Sequence, residues 1–174
     1  VNILETARLR VRVATPDDDA FFYALVNDPD FIEHIGDKGI RTLDEARTAL
    51  LSGPIAMQEE RGHSLYVVEL KDKACPIGMC GLIKRDTLDC VDIGYAYLPE
   101  WRGHGYAYEA AQAVLAHAPT LGIRRLLAIV SPDNVASNGL LRKLGMRFER
   151  FMHLVPDDGG TNLYSIEFPA AVPA

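Results

Sequence analysis

The sequence predicts an α/β (α+β) fold, a single domain over residues 1–174 built on a mixed sheet. Three observations carry that prediction. The length, 174 residues, is that of one domain, and no internal repeat, linker or low-complexity stretch interrupts it. Apolar residues recur with period two in some segments and with helical period in others. These segments follow one another as a strand, two or three helices, three strands, a helix, a strand, a helix and two strands.

Residues 8–13, Arg-Leu-Arg-Val-Arg-Val, alternate strictly and read as a half-buried strand. Thr15-Pro16 followed by three aspartates opens a helix: a capping residue, a proline suited to the first turn, and acids at the positive helix end. Ala20, Phe21, Ala24 and Leu25 form its expected apolar stripe. Asp28-Pro29 ends it, and Phe31–Ile35 adds a helical turn or two. Thr42-Leu-Asp-Glu45 is a capping box for a further helix with Leu43, Ala46 and Leu50 inward, interrupted or ended at Gly53-Pro54. Strands follow at 64–70, 77–84 and 91–98, the first two joined by a turn through Pro76. Residues 105–118 place Ala107, Ala110, Ala111, Val114, Leu115 and Ala118 on one helical face. A buried strand at 125–131 leads to a helix at 134–144, capped by Asn134 and stopped by Gly145. Two strands, 146–154 and 162–168, close the chain around the turn Pro156–Gly160.

Composition narrows the function classes. Apolar residues make up 48% and charged residues 24%, which excludes disorder, collagen and coiled coil. No apolar run approaches the ~18 residues of a membrane span, so no membrane partner is expected. Val1 to Arg12 has charges threaded through it and no apolar core, so no secretory signal is expected. The net charge of −6, with no basic face, argues against a nucleic-acid partner. The cysteines, Cys75, Cys80 and Cys90, are odd in number and lack metal-ligand spacing. They read as small buried residues in a reducing cytoplasm, and no metal site is expected.

The stretch that carries chemistry is Asp92–Ala110, where a strand runs through a glycine-containing turn into a helix. Helix N-termini leave N–H groups unpaired and carry partial positive charge, so this is an anion site, most often for phosphate. A Walker loop is excluded because Tyr106 follows Gly105. A dinucleotide fingerprint is weak because Tyr108 stands where its third glycine belongs. What remains is Arg102-x-x-Gly105-x-Ala107, followed after one strand by Asn134-x-x-Ser137-Asn138-x-x-Leu141-x-Lys143-x-Gly145.

These two motifs resemble the pyrophosphate loop and the late helix of the GCN5-related N-acetyltransferase (GNAT) superfamily. Pro99–Ala107 and the opening Thr6–Arg12 are similar to its RimJ/RimL-like branch of ribosomal-protein N-acetyltransferases. The resemblance spans nearly the whole chain. It implies a mostly antiparallel sheet of six or seven strands with helices on both faces, and a V-shaped split between the strands at 91–98 and 125–131. It implies acetyl-CoA as acyl-donor co-substrate and direct transfer to an amine acceptor: a peptide or protein N-terminus, or a small amine. Arg102, Gly103, His104, Gly105, Tyr106 and Ala107 are then expected on the pyrophosphate, mainly through their backbone. Asn134 and Asn138 are expected against the coenzyme, and a backbone N–H at Tyr97 or Leu98 against the developing oxyanion. Gly94 is expected to mark a bulge or close approach. Members of the family often carry a proton-donating tyrosine where this chain has Leu141; the resemblance offers Ser137 as the partner of the leaving sulfur.

For the general base the chain offers Asp92 and Glu33, acting directly or through a water. Phe31 and Tyr164 are the aromatic candidates for acceptor contacts. A non-catalytic coenzyme-A-binding sensor or partner protein, a small-molecule amine or antibiotic acyltransferase, and another acyl donor such as succinyl-CoA stay open. So does the choice of monomer or homodimer.

Overall fold

The computed structural model describes residues 1–169. Its strands are β1 (Asn2–Glu5), β2 (Leu9–Arg12), β3 (Leu65–Leu70), β4 (Cys75–Ile83), β5 (Asp92–Tyr97), β6 (Arg125–Val130), β7 (Arg147–Met152) and β8 (Thr161–Glu167). The helices are α1 (Asp19–Val26), α2 (Pro29–His34), α3 (Leu43–Leu50), α4 (Ala56–Arg61), α5 (Tyr106–His117) and α6 (Val135–Lys143).

The strands form one eight-stranded sheet in the order β1-β2-β3-β4-β5-β6-β8-β7. Every neighbouring pair is antiparallel except β5 and β6, which are parallel and paired only at Asp92↔Leu127. Beyond that point the two strands diverge, so the sheet is split on its C-terminal side. The expected V-shaped opening is therefore present. The strand count is eight rather than six or seven, because β1, four residues pairing with β2, is too short to show a period.

Side-chain alternation sends the sheet's residues to two cores. Tyr66, Val68 and Leu70 of β3 face α5, joining Ala110, Ala111 and Val114, and α6 adds Leu141 to the same core. Val67 points the other way and meets Leu25 of α1 and Leu50 of α3. The small side chains of α5 let it lie close to the sheet, which fixes where its N-terminus emerges.

Two local expectations are corrected. The buried residues of α1 are Leu25 and Val26, with Phe21 and Phe22 packed beside them, while Ala20 and Ala24 are exposed. Leu43 is half exposed rather than inward. Gly53-Pro54 interrupts its helix, as expected, without ending the helical run: a π-turn at Leu51–Ile55 carries the chain from α3 into α4. Proline cannot donate to the preceding turn, and the wider π-turn absorbs the lost bond. The Thr42 cap forms as expected, its hydroxyl accepting from the Glu45 N–H at 3.0 Å.

The entry to α1 is held by charge. Asp18 accepts two hydrogen bonds from Arg12, at 2.8 and 2.9 Å, and one from the Thr15 N–H at 2.8 Å. Burial raises the Asp18 carboxyl, but these bonds outweigh it and hold the group below the usual carboxylate range. A carboxyl depressed by folding contributes its full stability above its unfolded pKa of about 3.9, and loses it as pH falls through the lower folded value. Unfolding free energies measured from pH 6 downward are expected to fall for the wild type and to fall less for Asp18→Asn. Parallel curves would mean that this carboxylate contributes nothing.

Candidate active site

The site is assembled where β5 leaves β6. A cavity of about 510 Å³ lies there. It is bounded by Phe31 and His34 of α2, by Tyr95 and Tyr97 of β5, by the loop running into α5, and by Asn134, Ser137 and Leu140 at α6.

The loop is shaped by two glycines. Gly103 and Gly105 have φ of +78° and +82°, the left-handed region that disfavours side chains. Gly105 caps α5 with no side-chain hydrogen bond. The Glu109 N–H is the first to bond back, to the Gly105 carbonyl at 3.1 Å. The N–H groups of Tyr106, Ala107 and Tyr108 therefore precede the first helical bond and stand at the cavity wall. Cations frame them: the Arg8 guanidinium lies 4.4 Å from the Tyr106 ring centre, and the Lys143 ammonium 4.1 Å from that of Tyr108. His104 is exposed and stacks on Tyr106.

Arg102 has a different place from the one expected. Its N–H donates to the Pro99 carbonyl, and its side chain reaches Asp28 at 2.7 Å, Asp30 at 2.5 Å and the Tyr97 carbonyl at 2.8 Å. It has no free backbone donor and ties α2 to the end of β5, so the anion-facing donors begin at Gly103.

The alternation of the antiparallel ladder decides which β5 groups face the split. Leu98 donates to the Ile77 carbonyl at 3.0 Å, so its N–H belongs to the sheet and is not available to an oxyanion. One residue earlier, Tyr97 turns its backbone toward β6, as does Tyr95. Since β6 has already diverged, the N–H groups of Tyr95 and Tyr97 are left facing the slot, Tyr97 nearer its open end. Of the bulge or close approach expected at Gly94, the bulge is absent, because β4 and β5 pair without a shift. The close approach is present: a Cβ there would stand 2.9 Å from Ile83 Cδ1, the movable end of a side chain.

At α6, Asn134 caps the helix, its Oδ1 accepting from the Ser137 N–H at 3.1 Å. Its Nδ2 has no protein partner among the described residues. The Ser137 Oγ lies 2.6 Å from the Tyr95 hydroxyl across the slot. Leu141 is core at 1% exposure, and Leu140 is the leucine at the cavity wall.

Six sequence candidates fall outside the cavity: Leu98 and His104, placed above, and the four that follow. Asp92 is wholly buried beside Arg85 at 2.9 Å, at the opposite, paired end of β5. Glu33 is exposed and off the cavity wall, since α2 turns Asp30, Phe31 and His34 inward. Asn138 spends its whole side chain internally: Nδ2 donates to Ser131 and Asn134 carbonyls, and Oδ1 accepts from Asn162 and the Tyr164 hydroxyl. Tyr164 has no exposed surface, so its ring is core rather than an acceptor contact. Phe31 does line the cavity, as expected. His34 and Tyr95 were missed. The only signal for His34 was its spacing from Phe31 along a six-residue helix, too short to fix a phase.

A mixed sheet split beside an uncapped helix N-terminus is the architecture of the acyltransferase class that the two motifs resemble. Residues 8–147 match the family described as Acetyltransferase (GNAT) domain, and the chain belongs to that family. It is 30% identical over 175 residues to the uncharacterized N-acetyltransferase YoaA of Bacillus subtilis (strain 168), covering 96% of this chain and 97% of that one. Among solved structures, the fold is similar to RimL, a ribosomal L7/L12 alpha-N-protein acetyltransferase in complex with coenzyme A. The TM-score is 0.83 at 21% identity, over 96% of this chain and 98% of that one. It is also similar to the microcin C7 self-immunity acetyltransferase MccE in complex with acetyl-CoA and AMP, with a TM-score of 0.77 at 17% identity over 94% of each chain. The chain is thus a GNAT-family N-acetyltransferase, of a family that uses acetyl-CoA. Among the described residues no helix is long and apolar enough to cross a membrane.

Proposed function

We propose that this chain transfers an acetyl group from acetyl-CoA directly to a primary amine, with a protein N-terminal α-amine as the acceptor class. The observation that carries this reading is the split between β5 and β6, which ends at the bare N-terminus of α5. The N–H groups from Gly103 to Tyr108 hold the pyrophosphate, with Lys143 adding positive potential, while Arg8 is already paired with Glu109 at 2.7 Å. The Asn134 amide and the backbone of Tyr95 hold the pantetheine arm in the slot. The Tyr97 N–H faces the oxygen on which negative charge develops.

The acceptor enters past Phe31. Its nitrogen attacks the thioester carbon, the carbon–sulfur bond breaks, and the sulfur leaves beside Ser137. The amine proton passes to His34, directly or through one water. His34 lines the cavity with no protein partner among the described residues, whereas Asp30 is held by Arg102. Imidazole suits this task because a neutral ring carries one nitrogen that accepts a proton and one that donates. An α-amine, with a pKa of about 7.7–8.0, needs less help than a lysine at about 10.4. The proximity of RimL, which acts on a protein α-amine, supports the acceptor class.

The test is mass spectrometry of an N-terminal peptide panel incubated with acetyl-CoA, alongside polyamines and small amines. Acetylated peptide N-termini with release of free thiol are the expected result, and His34→Gln is expected to lower kcat about a hundredfold. Acetylation of small amines alone would move the acceptor class. Coenzyme binding without any turnover would make the chain a coenzyme-binding partner protein instead.

A further inference from the structure

We infer that Tyr95 positions the Ser137 hydroxyl for the leaving sulfur: the phenol donates to Ser137 Oγ, which leaves the serine's own hydrogen free to point into the slot. The inference rests on the acetyl-transfer reading and deepens it, because it supplies a device where this chain carries Leu141.

The geometry is specific. Tyr95 belongs to β5 just past its last contact with β6, and Ser137 sits on α6, so their 2.6 Å bond spans the split. Both residues line the cavity. A helical serine ordinarily bonds back to a carbonyl one turn earlier. No such bond is present here, and the phenol is the one partner of Ser137 Oγ among the described residues.

Direction follows from acidity. The phenol hydrogen has two acceptors in reach, Ser137 Oγ at 2.6 Å and the Ser137 carbonyl at 3.5 Å; the phenol is the stronger acid and the serine oxygen much the nearer, so we assign the shared hydrogen to tyrosine. Burial pushes the Tyr95 hydroxyl up to about 12, partly offset by the bond to Ser137, so the phenol stays protonated through the range in which amines react. Tyr95 is also held firmly, since its strand pairs with β4 through Tyr95↔Cys80 and its ring packs against the main core. With its lone pair engaged by Tyr95, Ser137 presents O–H rather than oxygen to the slot. As the carbon–sulfur bond breaks, the sulfur takes the electron pair and leaves as a thiolate that accepts this hydrogen bond. The amine proton goes to the base, and no oxidant or further reactant is required.

Tyr95 acts through Ser137, so it is a positioning residue, and the decisive readout is the thiol of bound coenzyme A. Thiolate absorbance is titrated with pH in complexes of coenzyme A with wild type, Tyr95→Phe, Ser137→Ala and the double variant. Comparison at one composition of the cavity cancels the effects of His34 and of the Asp30–Arg102 pair. In both single variants the thiol is expected to hold its proton about tenfold more tightly than in wild type, and in the double variant no more tightly still. In turnover, Tyr95→Phe lowers kcat about tenfold and leaves the KM for acetyl-CoA unchanged. A wild-type thiol affinity in folded Tyr95→Phe overturns the inference and leaves the acetyl-transfer reading standing. So does a wild-type value in Ser137→Ala, since the inference makes the serine hydroxyl the donor to the sulfur, and this arm decides the matter if Tyr95→Phe does not fold. Failure of wild type to bind coenzyme A overturns both.

Discussion

Gly105→Asp is expected to weaken acetyl-CoA binding about a thousandfold. The residue caps α5 and stands at the wall of the cavity, where the unpaired N–H groups of the first helical turn are the proposed seat of the pyrophosphate. A carboxylate there meets a pyrophosphate charge at about 4 Å, which costs about 4 kcal/mol at the effective dielectric of a protein surface. It also competes for the same N–H donors. The substitution carries a conformational cost of about 1–2 kcal/mol, because φ is +82°. Space is not the obstacle, since a Cβ would meet only the end of Arg8 at 3.5 Å. Gly122→Asp is the control: its φ is +83°, nothing lies within 4 Å of its Cβ position, and it is remote from the cavity. Calorimetric titration of both variants is expected to show lost binding for Gly105→Asp and near-normal binding for Gly122→Asp. Equal affinities in the two would remove the pyrophosphate from this helix.

Asn138→Ala is expected to lower stability by about 3 kcal/mol, a fall in Tm of roughly 6–12 °C for a chain of this size. The side chain makes four hydrogen bonds, of 3.1, 2.8, 3.1 and 2.7 Å, that join α6 to β8 and to the loop after β6. Its removal strands the hydroxyl of Tyr164, which has no access to water. An unsatisfied buried donor alone costs about 1–3 kcal/mol, and the vacated space adds to it. Coenzyme affinity of the folded variant is expected to stay within about threefold of wild type. The opposite pattern, an unchanged Tm with a weakened coenzyme, would return Asn138 to the coenzyme contacts suggested by its motif.

That pair of outcomes marks the boundary between what was legible and what was not. The helix 105–118 was legible because six apolar residues repeat on one face, and the loop before it because Gly103 and Gly105 sit between a strand and that helix. Strand β1 was not, since Asn2–Glu5 has the length of one alternation and becomes a strand only by pairing with β2. Asn138 and Ser137 are adjacent in one motif, yet one turns to the core and the other to the slot. A motif names residue types but does not say which wall each will meet.

The site divides in the same way. The sequence by itself determined the order of elements apart from β1 and α4, the capped and uncapped helix starts, and the pair of motifs shared with the GNAT family. These are local properties, set by backbone preferences and side-chain periods within a few residues. Only the tertiary structure decided that Asp92 is buried beside Arg85 and far from the cavity, that His34 rather than Glu33 faces it, and that Arg102 clamps α2 instead of standing free. It also brought Tyr95 to Ser137 across a separation of 42 residues. Each of these depends on where two distant segments cross, and that is fixed by burial of apolar surface over the whole chain, which no short stretch of sequence records.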